Sequence, residues 1–279
     1  MKKLTIGYSP CPNDTFIFYA LVHNKVPLNG ICFAPPVLDD VETLNLWALQ
    51  QKLDVTKLSF HALGHVLDNY VMLTAGAALG RGCGPLLVTG QGHVLDPVRD
   101  RIAVPGKYTT AAMLLKLYEP RCENIQVMRF DRIMPALEDG TVEGGVIIHE
   151  SRFTYQDFGL RCVQDLGEWW EGETGLPIPL GCIAARKNLP AVKLREIDSA
   201  IRKSLEWARN NSGQCMHYIR KHAQEMSSDV LRSHIDLYVN DFSLHIGDEG
   251  KSAVRELLRR GMDAGVFPKN SDIGWSLDT

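Results

Sequence analysis

Gly144-Gly-Val-Ile-Ile-His-Glu-Ser-Arg-Phe-Thr-Tyr155 is the stretch of sequence from which the fold class follows. Two glycines lead into a continuous apolar run, residues 146–148, which is typical of a strand buried on both faces of a parallel sheet. This pattern predicts an α/β protein. His149 ends the predicted strand, and ligands of open α/β sheets bind beyond the carboxyl ends of strands. His149 is therefore a candidate for proton chemistry, although a histidine that only hydrogen-bonds at a strand end fits the stretch equally well.

The sequence before this stretch indicates further units of one strand and one helix. Thr109 and Thr110 open an apolar helix over residues 111–118, after a short strand that begins at Arg101. A strand over 125–130 and a helix over 133–137 follow. Strands that alternate with helices predict parallel sheets.

The amino-terminal part repeats this arrangement. Residues 4–8 are typical of a strand, Ser9-Pro-Cys-Pro-Asn-Asp14 of a loop, and 15–22 of an apolar helix. We expect Asn13 or Asp14 to cap that helix, because a side-chain oxygen accepts hydrogen bonds from amides left free in the first turn. Free amides at a helix N-terminus also hold anionic ligands. Asn13 and Asp14 are therefore candidate binding residues, with an ordinary capped turn as the alternative.

A short strand over residues 54–59 ends on the hydroxyl of Ser59 and leads into a helix over 60–67. In that helix His61 and His65 are spaced i, i+4, as two metal ligands on one helical face are. The sequence His-Ala-Leu-Gly-His lacks the glutamate of the zinc-protease motif, and no third ligand is evident. Packing or surface positions are therefore favoured for both histidines, and no metal is expected.

Residues 76–84, Gly-Ala-Ala-Leu-Gly-Arg-Gly-Cys-Gly, are rich in glycine and precede a strand over 85–89. They lack the Gly-Lys-Ser/Thr ending of a phosphate-binding loop, so nucleotide binding is not indicated. Backbone freedom near a ligand or a hinge explains the glycines better.

The last third of the chain is expected to return to the first unit and then to become helical. Residues 176–186 are typical of extended chain, and the pattern from 191 to about 265 is helical, with breaks near 210–213, 227–228 and 247–250. Trp207, Tyr238 and Leu257 lie on apolar helix faces and are expected in the core. We therefore expect two lobes with a ligand cleft between them. The larger α/β domain would comprise residues 1–97 and 180–279, and the smaller one residues 98–179.

The composition excludes several classes of protein. A net charge of −3 leaves no basic footprint for nucleic acid, and no apolar run approaches the roughly 18 residues of a membrane span. Two lysines open the chain as in a secretory signal, but the loop from Pro10 interrupts the apolar segment that a signal needs. The seven cysteines form no C-x-x-C pair and fit reduced thiols. We therefore expect a cytoplasmic protein without a nucleic-acid or membrane partner.

Several segments resemble the 1,4-dihydroxy-6-naphthoate synthases of the futalosine route to menaquinone. The two longest are Ser9-Pro-Cys-Pro-Asn-Asp-Thr-Phe-Ile-Phe-Tyr-Ala20 and Ile147-Ile-His-Glu-Ser-Arg-Phe-Thr-Tyr155. The shorter ones are Leu38-Asp-Asp-Val-Glu-Thr-Leu-Asn45, Thr56-Lys-Leu-Ser-Phe60, Ala78-Leu-Gly-Arg-Gly82, Trp169-Trp170 and Leu180-Gly181. The similar segments extend from the N-terminus to about residue 186, and the helical tail adds little.

The resemblance implies a two-lobed, periplasmic-binding-protein-like fold of type II that serves as an enzyme. It implies a carbon–carbon lyase that converts cyclic dehypoxanthinylfutalosine, a small molecule with a carboxylate, to 1,4-dihydroxy-6-naphthoate with loss of its sugar-derived part. His149 stands in the motif that carries the family's general base. The family's substrate-contacting positions correspond to five residues here: Lys57, Leu58, Ser59, Thr109 and Thr110. No cofactor is expected, and the protein is expected to be a monomer or a homodimer.

The chemistry of these residues agrees with that implication. Breaking a carbon–carbon bond without a redox step requires a base that removes a proton and a group that accepts developing charge. A neutral imidazole suits the first task, and hydroxyls and amides at Ser59, Thr109 and Thr110 suit the second. Two alternatives stay open. One is a chorismate-dehydratase-like enzyme of the same route, and the other is a non-catalytic small-molecule-binding protein, which would normally need export.

Overall fold

The computed structural model describes residues 3–223 and 227–267. In chain order its strands are β1 (Ile6–Tyr8), β2 (Val37–Leu38), β3 (Val55–Ser59), β4 (Tyr70–Met72), β5 (Ala78–Gly80), β6 (Leu86–Gly90), β7 (Ile102–Val104), β8 (Ile125–Val127), β9 (Gly144–Ile147), β10 (Leu160–Asp165) and β11 (Ile178–Arg186). Its α-helices are α1 (Pro12–Val22), α2 (Val41–Leu49), α3 (Phe60–Val66), α4 (Thr110–Tyr118), α5 (Phe130–Glu138), α6 (Ser151–Thr154), α7 (Leu166–Thr174), α8 (Ala191–Asn210), α9 (Ser212–His222), α10 (Ser228–Tyr238), α11 (Asp241–Leu244) and α12 (Gly247–Asp263), and a 3₁₀-helix spans Tyr155–Phe158. Strands and helices alternate over the first two thirds of the chain, which confirms the predicted α/β class.

The first sheet has the strand order β2-β1-β3-β11-β4, and β5 also pairs with β11. β1 is parallel to β2 and to β3, whereas β11 is antiparallel to β3, β4 and β5. The register of β3 and β11 places Ser59 opposite Gly181. The carboxyl end of β3 therefore lies beside the first half of β11.

The second sheet has the strand order β10-β6-β9-β7-β8. Its strand β9 is the one predicted from the apolar run. Val146 faces the hydrophobic core that both sheets share, and Ile147 faces the core on the other side of the second sheet. Burial on both faces is thus confirmed. His149 lies two residues beyond the end of β9.

The prediction of parallel sheets is wrong in part, because both sheets are mixed. The parallel pairs are those built by strand–helix–strand connections, namely β1 with β2 and β3, and β7 with β8 and β9. β6 and β11 are the strands at which the chain enters a new lobe, and both pair antiparallel with their neighbours. A helical crossover within one sheet gives parallel pairing, whereas β6 and β11 each follow a strand of the other sheet and are not joined to their partners in this way.

The two sheets form two lobes joined by two chain crossings. The chain leaves the first sheet between β5 and β6 and returns to it between β10 and β11. The division at residues 97/98 and 179/180 stays a prediction. Strand β6 nevertheless belongs to the second sheet, because it pairs with β9, whereas the prediction assigned residues 86–90 to the larger domain. The glycine-rich segment just before β6 is where the chain crosses, and its sequence gives no sign of the change of sheet.

The tail helices cover the first lobe. α1 is buried on almost every side, as a helix that is apolar all round requires. α8 packs along it, and the hydroxyl of Ser204 donates to the carbonyl of Ile17 at 2.6 Å while accepting from the amide of Leu21 at 3.0 Å. α10 contacts α1 and β5, so it belongs to the first lobe.

The predicted helical tail is confirmed to its end near Gly265, which has the left-handed backbone of a helix terminus. Only the last break lies elsewhere. The helices are interrupted around Asn240 and His245, whereas α12 begins at Gly247 and continues through Gly250. Within residues 3–223 and 227–267, no helix combines the length and the apolar character that a membrane crossing needs.

Candidate active site

A cavity of about 90 Å³ lies between the two lobes, where β3 and β9 end. Both lobes and helix α10 contribute to its walls. The cavity lining includes every binding or catalytic residue predicted from the sequence: Asn13, Asp14, Lys57, Leu58, Ser59, Thr109, Thr110 and His149. The structure thus brings residues from four separate segments to one place, while their roles stay predictions.

Lys57 and Asp14 form a buried ion pair in the first-lobe wall of this cavity. The Lys57 Nζ lies 2.9 Å from Asp14 Oδ1 and donates to the carbonyl of Gly76 at 3.2 Å. Asp14 Oδ2 accepts from the amide and the hydroxyl of Ser9, at 3.2 and 2.7 Å. Since Asp14 neutralises Lys57, this wall offers a ligand a hydrogen-bond donor rather than an unpaired positive charge.

The expectation that Asn13 or Asp14 caps α1 is wrong. The helix begins at Pro12, three residues before the predicted start at residue 15, with Cys11 in the N-cap position and no side-chain cap. Asp14 turns back towards Ser9 and Lys57 because a charge-assisted bond to an ammonium group is stronger than bonds to amides. The side chain of Asn13 turns the same way, and Asn13 Nδ2 donates to Asp14 Oδ1 at 3.0 Å.

Ser59 is held at the end of β3 by a residue that the sequence analysis did not single out. Its amide donates to Asn45 Oδ1 at 2.9 Å, and Asn45 Nδ2 donates both to the Ser59 hydroxyl and to the carbonyl of Tyr108, each at 3.2 Å. The Ser59 hydroxyl therefore accepts a bond from the protein and keeps its own proton for a ligand. Leu58 lines the cavity beside it, although its side chain belongs to the hydrophobic core.

Thr109 and Thr110 build the N-terminus of α4 on the second-lobe wall. The Thr109 hydroxyl caps the helix by accepting from the amide of Ala112 at 3.2 Å, and it donates to the carbonyl of Gly106 at 2.9 Å. The Thr110 hydroxyl donates to the carbonyl of Leu180 at 2.6 Å. Both hydroxyl protons are therefore used within the protein. A ligand would meet the free amides of the first turn and the positive end of the helix dipole.

His149 faces the cavity from the second lobe with an unusual backbone. Its φ of +59° is in the left-handed region, which costs a residue with a side chain about 1 kcal/mol and which is frequent at functional sites. The ring lies edge-on to Phe130, with centroids 5.0 Å apart, and near-parallel to His234 at 6.2 Å. Among the described residues, no hydrogen bond fixes its ring nitrogens. Both nitrogens are therefore available to a ligand.

Burial lowers the pKa of His149 below its ordinary value of 6.5, and the negative charges of Glu150 and Asp14 oppose this effect in part. The imidazole is therefore neutral at pH 7. A neutral imidazole has one nitrogen with a free lone pair, which is what a general base requires.

Three further residues of the site escaped the sequence analysis: Asn45, His234 and Tyr238. Asn45 could have been noticed as a polar residue on the otherwise apolar face of α2. His234 and Tyr238 lie on α10, in the tail that carried no recognisable motif, and no local signal pointed to them. Tyr238 is in the core as predicted, with 8% of its surface exposed, yet it also lines the cavity.

His61 and His65 lie outside this cavity and pack together. Their rings are 5.3 Å apart, and Tyr108 and Phe267 surround them. His61 is 8% exposed and its Nδ1 lies 3.1 Å from the carbonyl of Thr109. The packing role favoured from the sequence is thus confirmed. In the part of the chain that the structure describes, no group of three or more His, Cys, Asp or Glu side chains is placed to hold a metal ion.

Comparison with known proteins assigns this chain to a family. The model of a family described as menaquinone biosynthesis matches residues 4–263. The 1,4-dihydroxy-6-naphthoate synthase of Thermus thermophilus is 50% identical over 271 residues, which cover 95% of this chain and 96% of the relative. That of Streptomyces coelicolor is 44% identical over 275 residues, with 95% of each chain covered. The chain belongs to the 1,4-dihydroxy-6-naphthoate synthase family of menaquinone biosynthesis.

Similar solved structures show the fold. A protein of Archaeoglobus fulgidus is similar with a TM-score of 0.88 and 36% identity, over 95% of this chain and 98% of that chain. The periplasmic aliphatic sulphonate-binding protein of Escherichia coli is similar with a TM-score of 0.66 and 13% identity, over 98% and 91%. The periplasmic-binding-protein-like fold is thus confirmed. The named relatives also confirm the prediction that this member of the synthase family is an enzyme, and the family name fits the lyase class.

Proposed function

We propose that this protein converts cyclic dehypoxanthinylfutalosine to 1,4-dihydroxy-6-naphthoate, with His149 as the general base. The observation that carries the proposal is the position of His149. It is a neutral imidazole without a protein hydrogen-bond partner among the described residues, and it faces a cavity whose other walls offer hydrogen-bond donors. The family supports the reaction, since its two relatives carry the product in their names.

His149 would remove a proton from a substrate hydroxyl. As the hydroxyl becomes a carbonyl, the adjacent carbon–carbon bond breaks and its electron pair passes to the part of the substrate that becomes the naphthoate. An imidazole with a pKa below 6.5 is mainly in the base form at pH 7, and such proton transfer typically contributes about 10²–10⁴-fold to the rate.

The substrate carboxylate would be held opposite His149, between Ser59 and the N-terminus of α4. The Ser59 hydroxyl keeps a free proton, and the first turn of α4 supplies amides and the positive end of its dipole. Lys57 adds one ammonium donor beyond the two that bind Asp14 and Gly76. These donors would also take up negative charge that develops on the ring system during cleavage.

The test is a direct assay. Purified protein is incubated with cyclic dehypoxanthinylfutalosine, and the naphthoate chromophore is followed by absorbance and mass spectrometry. We expect product without any added metal or nicotinamide, and product formation about 10²–10⁴-fold slower with His149→Ala. Substrate that is bound but returned unchanged by the parent protein would contradict the proposal and favour a non-catalytic binding protein.

A parallel incubation with chorismate tests the alternative of a dehydratase of the same route. Loss of water from chorismate, with no product from the futalosine derivative, would replace the proposed substrate. The cytoplasmic location, a monomeric or homodimeric state and the absence of nucleic-acid and membrane partners belong to the same proposal. Free thiols at all seven cysteines support the location.

A further inference from the structure

A chain of polar contacts runs across the cleft behind His149. It starts at Lys57, whose ammonium group binds Asp14 Oδ1, and continues through Asn13, which donates to the same oxygen. The side-chain oxygen of Asn13 in turn lies 3.0 Å from His234 Nε2. All of these groups belong to the first lobe. The next polar group along the line is Glu150, which follows His149 in the second lobe.

The last link in this chain is open. His234 Nδ1 and Glu150 Oε2 face each other at 4.0 Å, and neither atom has a hydrogen-bond partner among the described residues. Both side chains are buried, with 1% of His234 and 9% of Glu150 exposed. A buried polar atom without a partner is destabilising, so two such atoms pointing at each other require an explanation.

The hydrogen bonds on the first-lobe side decide which nitrogen of His234 carries a proton. Asp14 only accepts, so Asn13 must turn its amino group towards Asp14 and its oxygen towards His234. His234 Nε2 must therefore donate. In a neutral imidazole, Nδ1 then carries a lone pair, and it meets a carboxylate that is also an acceptor. Two acceptors in a buried gap repel each other unless one proton lies between them.

We propose that Glu150 and His234 bind one proton between them and form a latch that joins the two lobes directly behind His149. The proton makes one of the two groups a donor, so a small shift of either side chain closes the 4.0 Å gap to hydrogen-bond distance. Both are positioning residues: they fix the segment that carries His149 against the first lobe. Only the expected effect of the latch on turnover rests on the proposed function.

The surroundings of the pair favour a state with no net charge, in which one proton neutralises the charge of the Glu150 carboxylate. The titratable and charged groups that face it are Cys11, Asp14, Lys57, His149 and Tyr238. Asp14 and Lys57 neutralise each other, and burial keeps His149 uncharged and the pKa values of Cys11 and Tyr238 above their ordinary values. None of these groups is an unpaired cation that could stabilise a charged Glu150 carboxylate. Binding a proton is therefore the remaining way to neutralise its negative charge.

Glu150→Gln separates the latch from a general structural role. Glutamine has nearly the same shape, and its amino group donates to His234 Nδ1 at every pH, whereas Glu150 needs the shared proton. The matched control is Glu143→Gln, which removes an ion pair to Arg101 just before β9, the strand that leads to Glu150. Histidine labelled with ¹⁵N on the ring reports the state of each nitrogen, and His234→Gln identifies the His234 signals by their loss.

The titration follows the His234 ring nitrogens from pH 5 to pH 10 in the three proteins. We expect parent and Glu143→Gln to lose one proton from the pair in a single step whose midpoint the titration gives, and Glu150→Gln to show no such step. In the naphthoate assay, kcat/KM of the parent should fall about tenfold per pH unit above that midpoint, while Glu150→Gln stays level. A His234 titration that is absent from the parent, or that is the same in Glu150→Gln, would overturn the latch. A parent that makes no naphthoate would overturn the proposed function instead, and the ring-nitrogen titration would still decide the latch.

Discussion

Among single residues, His149 gives the first prediction, because its protonation state sets how kcat/KM depends on pH. Burial places its pKa below 6.5 in the folded protein, so the base form predominates at pH 7 and is lost as the pH falls through the lowered pKa. We expect the acid limb of the kcat/KM profile to lie below pH 6.5. An acid limb centred above pH 6.5 would show that a group other than a buried imidazole is titrating.

Removal of the imidazole is the second prediction. His149→Ala should lower kcat by about 10²–10⁴-fold and leave product binding measurable by calorimetry, because the donors of Ser59 and α4 are untouched. His93→Ala is the matched control, since that ring is bound to Asp100 in a different part of the second lobe. Turnover close to that of the parent in His149→Ala would exclude the general-base role.

His61 gives a third prediction, on stability. Burial lowers its pKa to about 4, so the unfolded chain binds a proton below 6.5 that the folded chain does not. This histidine therefore makes no pH-dependent contribution above pH 6.5, and the free energy of unfolding should fall between pH 6.5 and 4, by on the order of 3 kcal/mol. Urea unfolding of parent and His61→Gln at pH 7, 5.5 and 4 measures the difference. Equal losses in both proteins would mean that other groups carry the acid sensitivity.

At the scale of elements, the site depends on Asn45, which connects α2 to the end of β3 and to the loop before α4. Asn45→Ala would leave the amide of Ser59 without a partner in the protein. We expect a loss of about 1–3 kcal/mol in unfolding free energy and a raised KM, measured by urea unfolding and steady-state kinetics. Asn124→Ala, which removes an exposed bond to the carbonyl of Arg99, should change stability by less than about 0.5 kcal/mol. Equal effects of the two substitutions would contradict the bridging role.

The elements also show how far the sequence alone could lead. Local patterns located β3, β9, α4 and most of the tail, because apolar periodicity and caps are properties of neighbouring residues. The antiparallel pairing of β6 with its neighbours in the second sheet, and of β11 with its neighbours in the first, was missed, since pairing depends on residues far apart in the chain. For the same reason His234 could not be predicted: packing of α10 against α1 brings it to the cleft, and nothing near it in sequence resembles a site. The motif residues were found because the family resemblance covers them.

At the scale of the whole molecule, the size of the cavity makes the last prediction. Its volume of about 90 Å³ is smaller than the roughly 150 Å³ that accommodates a single benzene ring, so a substrate with fused rings requires the lobes to part. We expect the free protein in solution to be more expanded than the complex. Small-angle X-ray scattering should show a smaller radius of gyration when His149→Ala is saturated with substrate. An unchanged radius would mean that the site is enlarged by side-chain movement alone.

The central position of β11 has a consequence for how the protein is made. β11 completes the first sheet between β3 and β4, but the ribosome synthesises it only after the entire second lobe. Until Arg186 has left the exit tunnel, β3 and β4 expose unpaired backbone edges, which are prone to wrong pairing. The lobe whose synthesis begins first is thus the one whose folding finishes last, and a nascent chain that stalls before this point would depend on chaperones to protect it.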